Sequence, residues 1–521
     1  MPPTASAFLR TSKWYVLTIA ALFIVSRMIY YWLGVRFDTG PLGSWWVIDP
    51  VLLRDAPWQS LLYLRAQLPG FNFYVAVIMH LFPRHSASAF HATYLVLGLM
   101  LGISLFLLLD RLHVSRPLSL LITVLCVVSP ATVLYENWLS YEYPLAVLFC
   151  TSALFLHRYA TSQHQTDGLA FFTSLASIGL FRVIYHLIWF GLIVAVIIYA
   201  LPRCRRRTAL CAAAPTALLL ITYLKSLVLF GLFVPGSDTY GAVNFAFLTS
   251  LQLPRDVLAS MVARKEISPI LLHGFRFEDE ELVDVVPLPP KTGIRILDQR
   301  LKSTDGIIRI NMDSLWMAAI GEQLRRDGLA ILRSHPAAIL KQIRRNTINY
   351  FLPSDIGWPF GSPSEHSNQL ILLPLLKFEW VMSGKHPKHN YAIVSYVVGL
   401  CVLWFGFRRS VRWLKRLIRR PNGNARELTI AFAFGNIAYL SAVVILYDFT
   451  DQNRILFEVF PLFTVLLGTL LALEWRRRAA RCFIPTALDI GNNGRMVAER
   501  GNRSNHMAWG TESSSAKQIH K

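Results

Sequence analysis

The stretch Trp14–Val35, WYVLTIAALFIVSRMIYYWLGV, decides the fold class. It runs for 22 residues with a single charge, Arg27. At 1.5 Å per residue, about 20 residues cross the roughly 30 Å of hydrocarbon in a bilayer, so a run this long and apolar reads as a membrane span rather than a core helix. Leu187–Leu201 repeats the pattern with no charge at all. The composition agrees: 54% hydrophobic and 16% charged residues cannot cover the surface of a soluble chain of 521 residues.

Working outward from that segment, the sequence predicts an all-α polytopic membrane protein with about ten transmembrane helices. Residues 1–13 form a basic N-terminus, and residues 14–234 a first group of spans. Helix 1 is 14–35, helix 2 is 90–112 and helix 3 is 118–134. A turn at 135–144 leads to helix 4, which returns to His157–Arg158. Helices 5, 6 and 7 follow at 168–180, 187–201 and 210–233. The first outer loop, 36–87, is too broken for a span and too apolar for a free loop. Its Trp45, Trp46 and Trp58 suit the headgroup layer. Two interfacial helices are expected there, near Pro50–Ala66 and Phe71–Phe82. A long hydrophilic region, 235–389, reads as mostly helical, with pieces at Asp313–Arg333 and Pro336–Tyr350 and a surface loop over Phe277–Pro290. Residues 390–476 hold the last three spans, at 391–407, 428–446 and 455–475, and 477–521 is a basic tail without periodicity, expected to be disordered.

The net charge of +21 does not indicate nucleic acid. The basic residues cluster beside apolar runs, at Arg203–Arg207, Arg408–Arg420 and Arg476–Arg481, which is the positive-inside pattern. It puts both termini in the cytoplasm of a multi-pass protein of the cell (inner) membrane, with lipid as its partner. The apolar stretch of helix 1 is too long for a cleaved leader and lacks a small-residue cleavage site, so an uncleaved anchor is expected. The six cysteines, Cys126, Cys150, Cys204, Cys211, Cys401 and Cys482, fall in spans or basic segments and show no metal-type spacing.

Ionisable residues at membrane depth are costly and usually face a cavity or a partner. Asp38 follows helix 1, and Glu136 and Glu142 flank the turn after helix 3. Arg182 and His186 lie between helices 5 and 6, Lys225 in the outer half of helix 7, and Asp448, Asp451 and Arg454 between helices 9 and 10. Five separate segments therefore bring acids and bases to one membrane level. Each has a plainer explanation. Asp49 before Pro50 is an ordinary helix start. Asp55 suits a solvated face, Arg182 a lipid headgroup, and Glu136 and Glu142 the headgroup layer. Arg27 suits a pair within the bundle, and Lys225 a buried partner. Asp38 has no following helix to cap.

Gly34–Val35–Arg36–Phe37–Asp38, Ile48–Asp49–Pro50–Val51–Leu52–Leu53, Ser60–Leu64 and Pro69–Gly70–Phe71–Asn72 together resemble the first outer loop of GT-C glycosyltransferases, of the protein mannosyltransferase and aminoarabinose transferase type. Tyr135–Glu136–Asn137–Trp138 resembles their second acidic loop, and Asp451–Gln452–Asn453–Arg454 with Pro461 their acid-Asn-Arg turn. The chain departs from that pattern in having one acid, Asp38, where paired acids or His-Pro-Pro are common, and Gly70 in place of a second proline. The resemblance implies transfer of a sugar from a polyprenyl-phosphate donor to an acceptor hydroxyl, with inversion. Asp38 would be the base, Glu136 would position acceptor or sugar, and Lys225, Arg182 and Arg454 would hold the donor phosphate. Asp49, Glu142, His186 and Asp451 are further site candidates. No cofactor is called for, and without a paired Asp-x-Asp in the first loop no metal ligand is named, which leaves metal dependence open. A secondary transporter or lipid flippase is one alternative, although no inverted repeat is visible. A non-catalytic envelope assembly protein is another.

Overall fold

The structure, a computed structural model, describes residues 5–482 apart from 237–238, 305–306, 357–366, 387–390, 420–422 and 450–451. The chain begins with α1 (Ala5–Trp32), longer at its start and shorter at its end than the apolar run suggests. The first connecting segment folds into α2 (Pro50–Asp55), α3 (Pro57–Leu62) and α4 (Pro69–Leu81). Proline occupies the first position of all three, where its missing N–H costs nothing. Pro57 also breaks the single helix expected over 50–66 into two.

The bundle continues with α5 (Ser86–Arg111), α6 (Arg116–Val128), α7 (Pro130–Glu136), α8 (Glu142–Ser162), α9 (Gln165–Phe181), α10 (Leu187–Ala200) and α11 (Arg205–Phe230). The third expected span is not one straight helix: α6 and α7 meet at a 55° bend at Ser129. Pro130 offers no N–H and disfavours a helical residue before it. The C-terminal carbonyls of α6 find donors on α1 instead: Arg27 Nη1 donates to Val127 O at 3.0 Å and Tyr30 Oη to Val128 O at 2.8 Å.

Residues 239–382 form α12 (Thr239–Ser250), α13 (Arg255–Ala263), α14 (Ile270–His273), α15 (Glu281–Val285), α16 (Arg295–Asp298), the antiparallel pair β1 (Leu301–Thr304) and β2 (Ile307–Ile310), then α17 (Leu315–Ser334), α18 (Pro336–Tyr350) and α19 (Ser367–Met382). This segment has its own apolar core, built from Phe247, Met261, Ile270, Trp316, Ile320 and Leu324, and Ala66 of the first connecting segment enters it. The stretch 277–290 is only in part the surface loop expected from its prolines and acids: Glu281, Asp284 and Leu288 are exposed, but the stretch is anchored inward. Phe277 and Leu282 are buried in the core, and Trp316 Nε1 donates to Val286 O at 2.7 Å. The chain ends with α20 (Ile393–Arg419), α21 (Ala425–Tyr447), α22 (Gln452–Leu456) and α23 (Phe460–Cys482). The tail beyond 482 lies outside the described residues.

All ten expected crossings are helical, yet among the described residues length and composition alone qualify six as membrane spans, or seven if α6 and α7 count as one bent span. α10, with 14 residues, reaches about 21 Å. α8 is a different case. It packs against α5, α9 and α21 and is buried along most of its length. A helix enclosed by other helices can carry Ser152, Thr151 and His157 because it does not face lipid.

Candidate functional site

Asp38 leaves α1 and is strapped to the turn between α7 and α8. Its N–H donates to Asn137 O at 2.8 Å, and its carbonyl accepts from Leu139 N at 3.0 Å, a short parallel bridge alongside Trp138. Its Oδ1 also accepts from Gly40 N at 2.8 Å, a local turn that only Asp and Asn make readily. The Asp38 backbone is thus held from both sides, its carboxylate takes one bond from Gly40 N, and the residue is partly exposed.

Aromatic rings connect this strap to the arginines. Trp138 packs edge-on against Trp46 at 6.1 Å, and Trp46 against Tyr141 at 6.0 Å. Arg454 lies 5.3 Å over the Trp46 ring, and Arg182 lies 5.3 Å over the Tyr141 ring. Each guanidinium meets a glutamate with no exposed surface. Arg454 Nη1 is 3.4 Å from Glu142 Oε1. Arg182 contacts Glu458, whose Oε2 accepts from Tyr185 Oη at 2.8 Å. Asp38, Glu142, Arg182 and Arg454 therefore gather at one end of the bundle. Glu458 was not foreseen, because it stands inside an apolar run that reads simply as a span.

Glu136 is placed differently from its expected role. Arg27 grips it with two bonds of 2.7 Å, and Tyr143 Oη donates to it at 2.6 Å. Its side chain has no exposed surface, so both oxygens are engaged and an acceptor cannot reach them; the expectation that Glu136 positions acceptor or sugar is corrected on that ground. Gly98 makes the room, since a Cβ there would lie 2.3 Å from Glu136 Oε2. Gly70, the departure noted in the first loop, has a similar cause: a Cβ would lie 2.7 Å from the Leu180 carbonyl oxygen, so α4 could not approach α9.

Lys225 donates to Leu64 O at 2.6 Å. It belongs to a second charged group in which the 239–382 segment holds the first connecting segment. Asp313 Oδ1 accepts from Arg65 N at 2.9 Å and Ala66 N at 2.6 Å. Lys302 donates to Ser44 O and, at 2.6 Å, to Val47 O. Burial pushes the Asp313 carboxyl above its ordinary range, against the pull of those amides and of Lys302 and Lys225. Burial pushes the Lys302 ammonium down to about 8, with Asp313 and Asp49 opposing. Lys302 and Asp313 carried no signal in the sequence, since an isolated charge in a hydrophilic region reads as solvated. Asp49 caps α2 through Val51 N at 2.9 Å, as its place before Pro50 predicted.

A third acidic place lies behind Tyr135, whose hydroxyl donates to Ser354 O at 2.8 Å. Asp355 is fully buried and accepts from Trp380 Nε1 at 2.7 Å, while its Oδ1 meets no donor among the described residues. Burial raises its carboxyl to about 7, and Glu379 adds to the effect. His186 stands at the start of α10 without capping it. Asp451 lies outside the described residues. Asp448 Oδ1 accepts from Phe449 N at 2.9 Å. Among the described residues no group of three or more His, Cys, Asp or Glu is arranged to hold a metal. A separate cavity of about 350 Å³, lined by Lys265, Ser268, Gln323 and Arg326, shares no residue with these clusters.

No family model matches the chain. No curated protein matches it either. Among solved structures, the crystal structure of ArnT from Cupriavidus metallidurans in the apo state is similar over 89% of this chain and 77% of that one, at 15% sequence identity and a TM-score of 0.31.

Proposed function

We propose that this chain is a GT-C-type membrane glycosyltransferase that moves a sugar from a polyprenyl-phosphate donor to an acceptor hydroxyl at the non-cytoplasmic face, with inversion. One observation carries the reading: a partly exposed carboxylate, Asp38, is held by backbone bonds beside aromatic rings that also support two arginines. Inverting transfer needs that combination. The acceptor oxygen attacks the anomeric carbon, and its proton passes to a carboxylate oxygen of Asp38. The bond from that carbon to the phosphate oxygen breaks, and its electron pair leaves with the lipid phosphate.

A positioned base contributes about 10²–10⁴-fold in rate. The leaving phosphate gains negative charge where little water is available, and oriented guanidinium donors offset it. Arg454 and Arg182 serve that role, with Lys225 near the first loop. Rigid aromatic supports keep the two arginines from swinging into solvent. Glu136 is a positioning residue here: pairing with Arg27, it fixes the end of α7, which leads directly into the turn that holds Asp38. The carrier's apolar tail lies between helices, which accounts for a site at the end of a bundle.

The test is incubation of purified protein with a panel of polyprenyl-phosphate sugars, following release of lipid phosphate. Asp38→Asn keeps an oxygen for the Gly40 turn, so the fold is retained while turnover falls by about 10²–10⁴-fold. Undiminished transfer by that variant, or no transfer from any donor by the parent, sinks the reading. A scaffold would not register the substitution.

A further inference from the structure

The two arginine–glutamate pairs differ in a way that the proposed chemistry leaves unexplained. Glu458 is closed: Arg182 contacts one oxygen and the Tyr185 hydroxyl donates to the other. Glu142 is open. It has no exposed surface, yet neither of its carboxylate oxygens accepts a hydrogen bond among the described residues, and its one ion-pair partner is Arg454 at 3.4 Å. A buried carboxylate without hydrogen bonds is costly. Arg454 beside it is itself buried, so separating the two charges also has a cost.

We propose that Glu142 is an exchangeable counter-ion, occupying Arg454 until a lipid phosphate displaces it, whereas Glu458 is a permanent anchor for Arg182. This rests on the carrier-lipid reading above. Two phosphate oxygens meet a guanidinium in a paired geometry that one carboxylate oxygen at 3.4 Å does not reach. Displacement therefore improves the contacts of Arg454, and return of Glu142 helps eject the product. Ejection matters because the donor is a phosphodiester with one negative charge, while the released lipid phosphate is a monoester carrying about −1.5 to −2 at neutral pH. Without a competing acid, a site with two arginines would retain its product. Glu142 thus sets the balance between donor binding and product release without touching the reacting carbon.

The experiment is equilibrium titration of farnesyl phosphate into the full-length protein in detergent, by calorimetry, alongside steady-state transfer. Glu142→Gln removes the competing charge and tightens farnesyl phosphate about tenfold, which is about 1.4 kcal/mol. In turnover it lowers KM and kcat together, with stronger inhibition by added farnesyl phosphate. Glu142→Asp draws the charge back by one methylene and tightens binding by a smaller factor, so the inference stays testable if the glutamine variant does not fold. Glu458→Gln moves the other way, weakening binding as Arg182 loses its anchor. Binding by the parent with unchanged or weaker binding by the Glu142 variants overturns the counter-ion role alone. Absence of binding by the parent overturns it together with the carrier-lipid reading.

Discussion

The buried charges of the bundle and those of the 239–382 segment are satisfied by different means. In the bundle, side chain meets side chain: Arg27 with Glu136, Arg454 with Glu142, Arg182 with Glu458. In the segment, side chain meets backbone: Lys302 on the carbonyls of Ser44 and Val47, Asp313 on the amides of Arg65 and Ala66. The difference follows from what each region must hold. Helices have already spent most of their backbone groups on their own hydrogen bonds, so a charge between them finds its main partner in another side chain. The irregular chain over 44–66 has spare carbonyls and amides, and a buried charge can fix its shape directly. The bundle pairs therefore join helices to one another, while Lys302 and Asp313 mould the connecting segment.

The sharpest way to break this comparison is Glu136→Ala. It strands Arg27 and is expected to cost about 3–5 kcal/mol, seen as a lower apparent melting temperature in detergent. Replacing both ends, Arg27→Met with Glu136→Gln, is expected to return most of that loss, because no uncompensated charge remains. If Glu136→Ala melts with the parent, the pair holds nothing together.

Asp355 is the exception within the segment: its Oδ2 accepts from a side chain, the Trp380 indole, and its Oδ1 has no hydrogen-bond partner among the described residues. Its carboxyl, raised to about 7 in the folded protein, lies near 4 when unfolded. The folded state therefore keeps the proton over that interval, and stability falls as pH rises from about 4 to about 7, by up to about 4 kcal/mol. Asp355→Asn removes the titration. Its melting temperature relative to the parent should climb across that interval and level off above it, and a constant difference would refute the assignment.

Asp313→Ala leaves the amides of Arg65 and Ala66 without their acceptor, at a cost of about 1–3 kcal/mol. Unlike the bundle pair, no second side-chain substitution can rescue it. Faster hydrogen exchange confined to residues near 65–66 is the expected signature. The smallest effect belongs to Asp49→Ala, which removes a helix cap worth about 1 kcal/mol. A loss of several kcal/mol there would mean that Asp49 matters mainly through Lys302.

Hydropathy adds along the chain, so the runs at Trp14–Val35 and 428–446 announce helices before any contact is known. The Asp49–Pro50 cap is equally local, since donor and acceptor lie two residues apart. The Ser129–Pro130 step carries a local bend signal of its own, which the continuous apolar run around it masks. The spans are harder to count, because α8 is enclosed by protein and α10 is short.

Tertiary structure alone decided which charges are spent and which remain. Glu136 and Asp38 look alike in sequence, each an acid beside an aromatic at the end of an apolar run. One is consumed by Arg27, far away on α1, and the other is held by backbone bonds that leave it partly exposed. Glu458 and Lys302 appear unremarkable until Arg182 and the carbonyls of the first connecting segment are folded against them. The physical reason is range: apolar burial and capping are properties of neighbouring residues, whereas the state of a buried charge depends on partners that only the folded chain supplies.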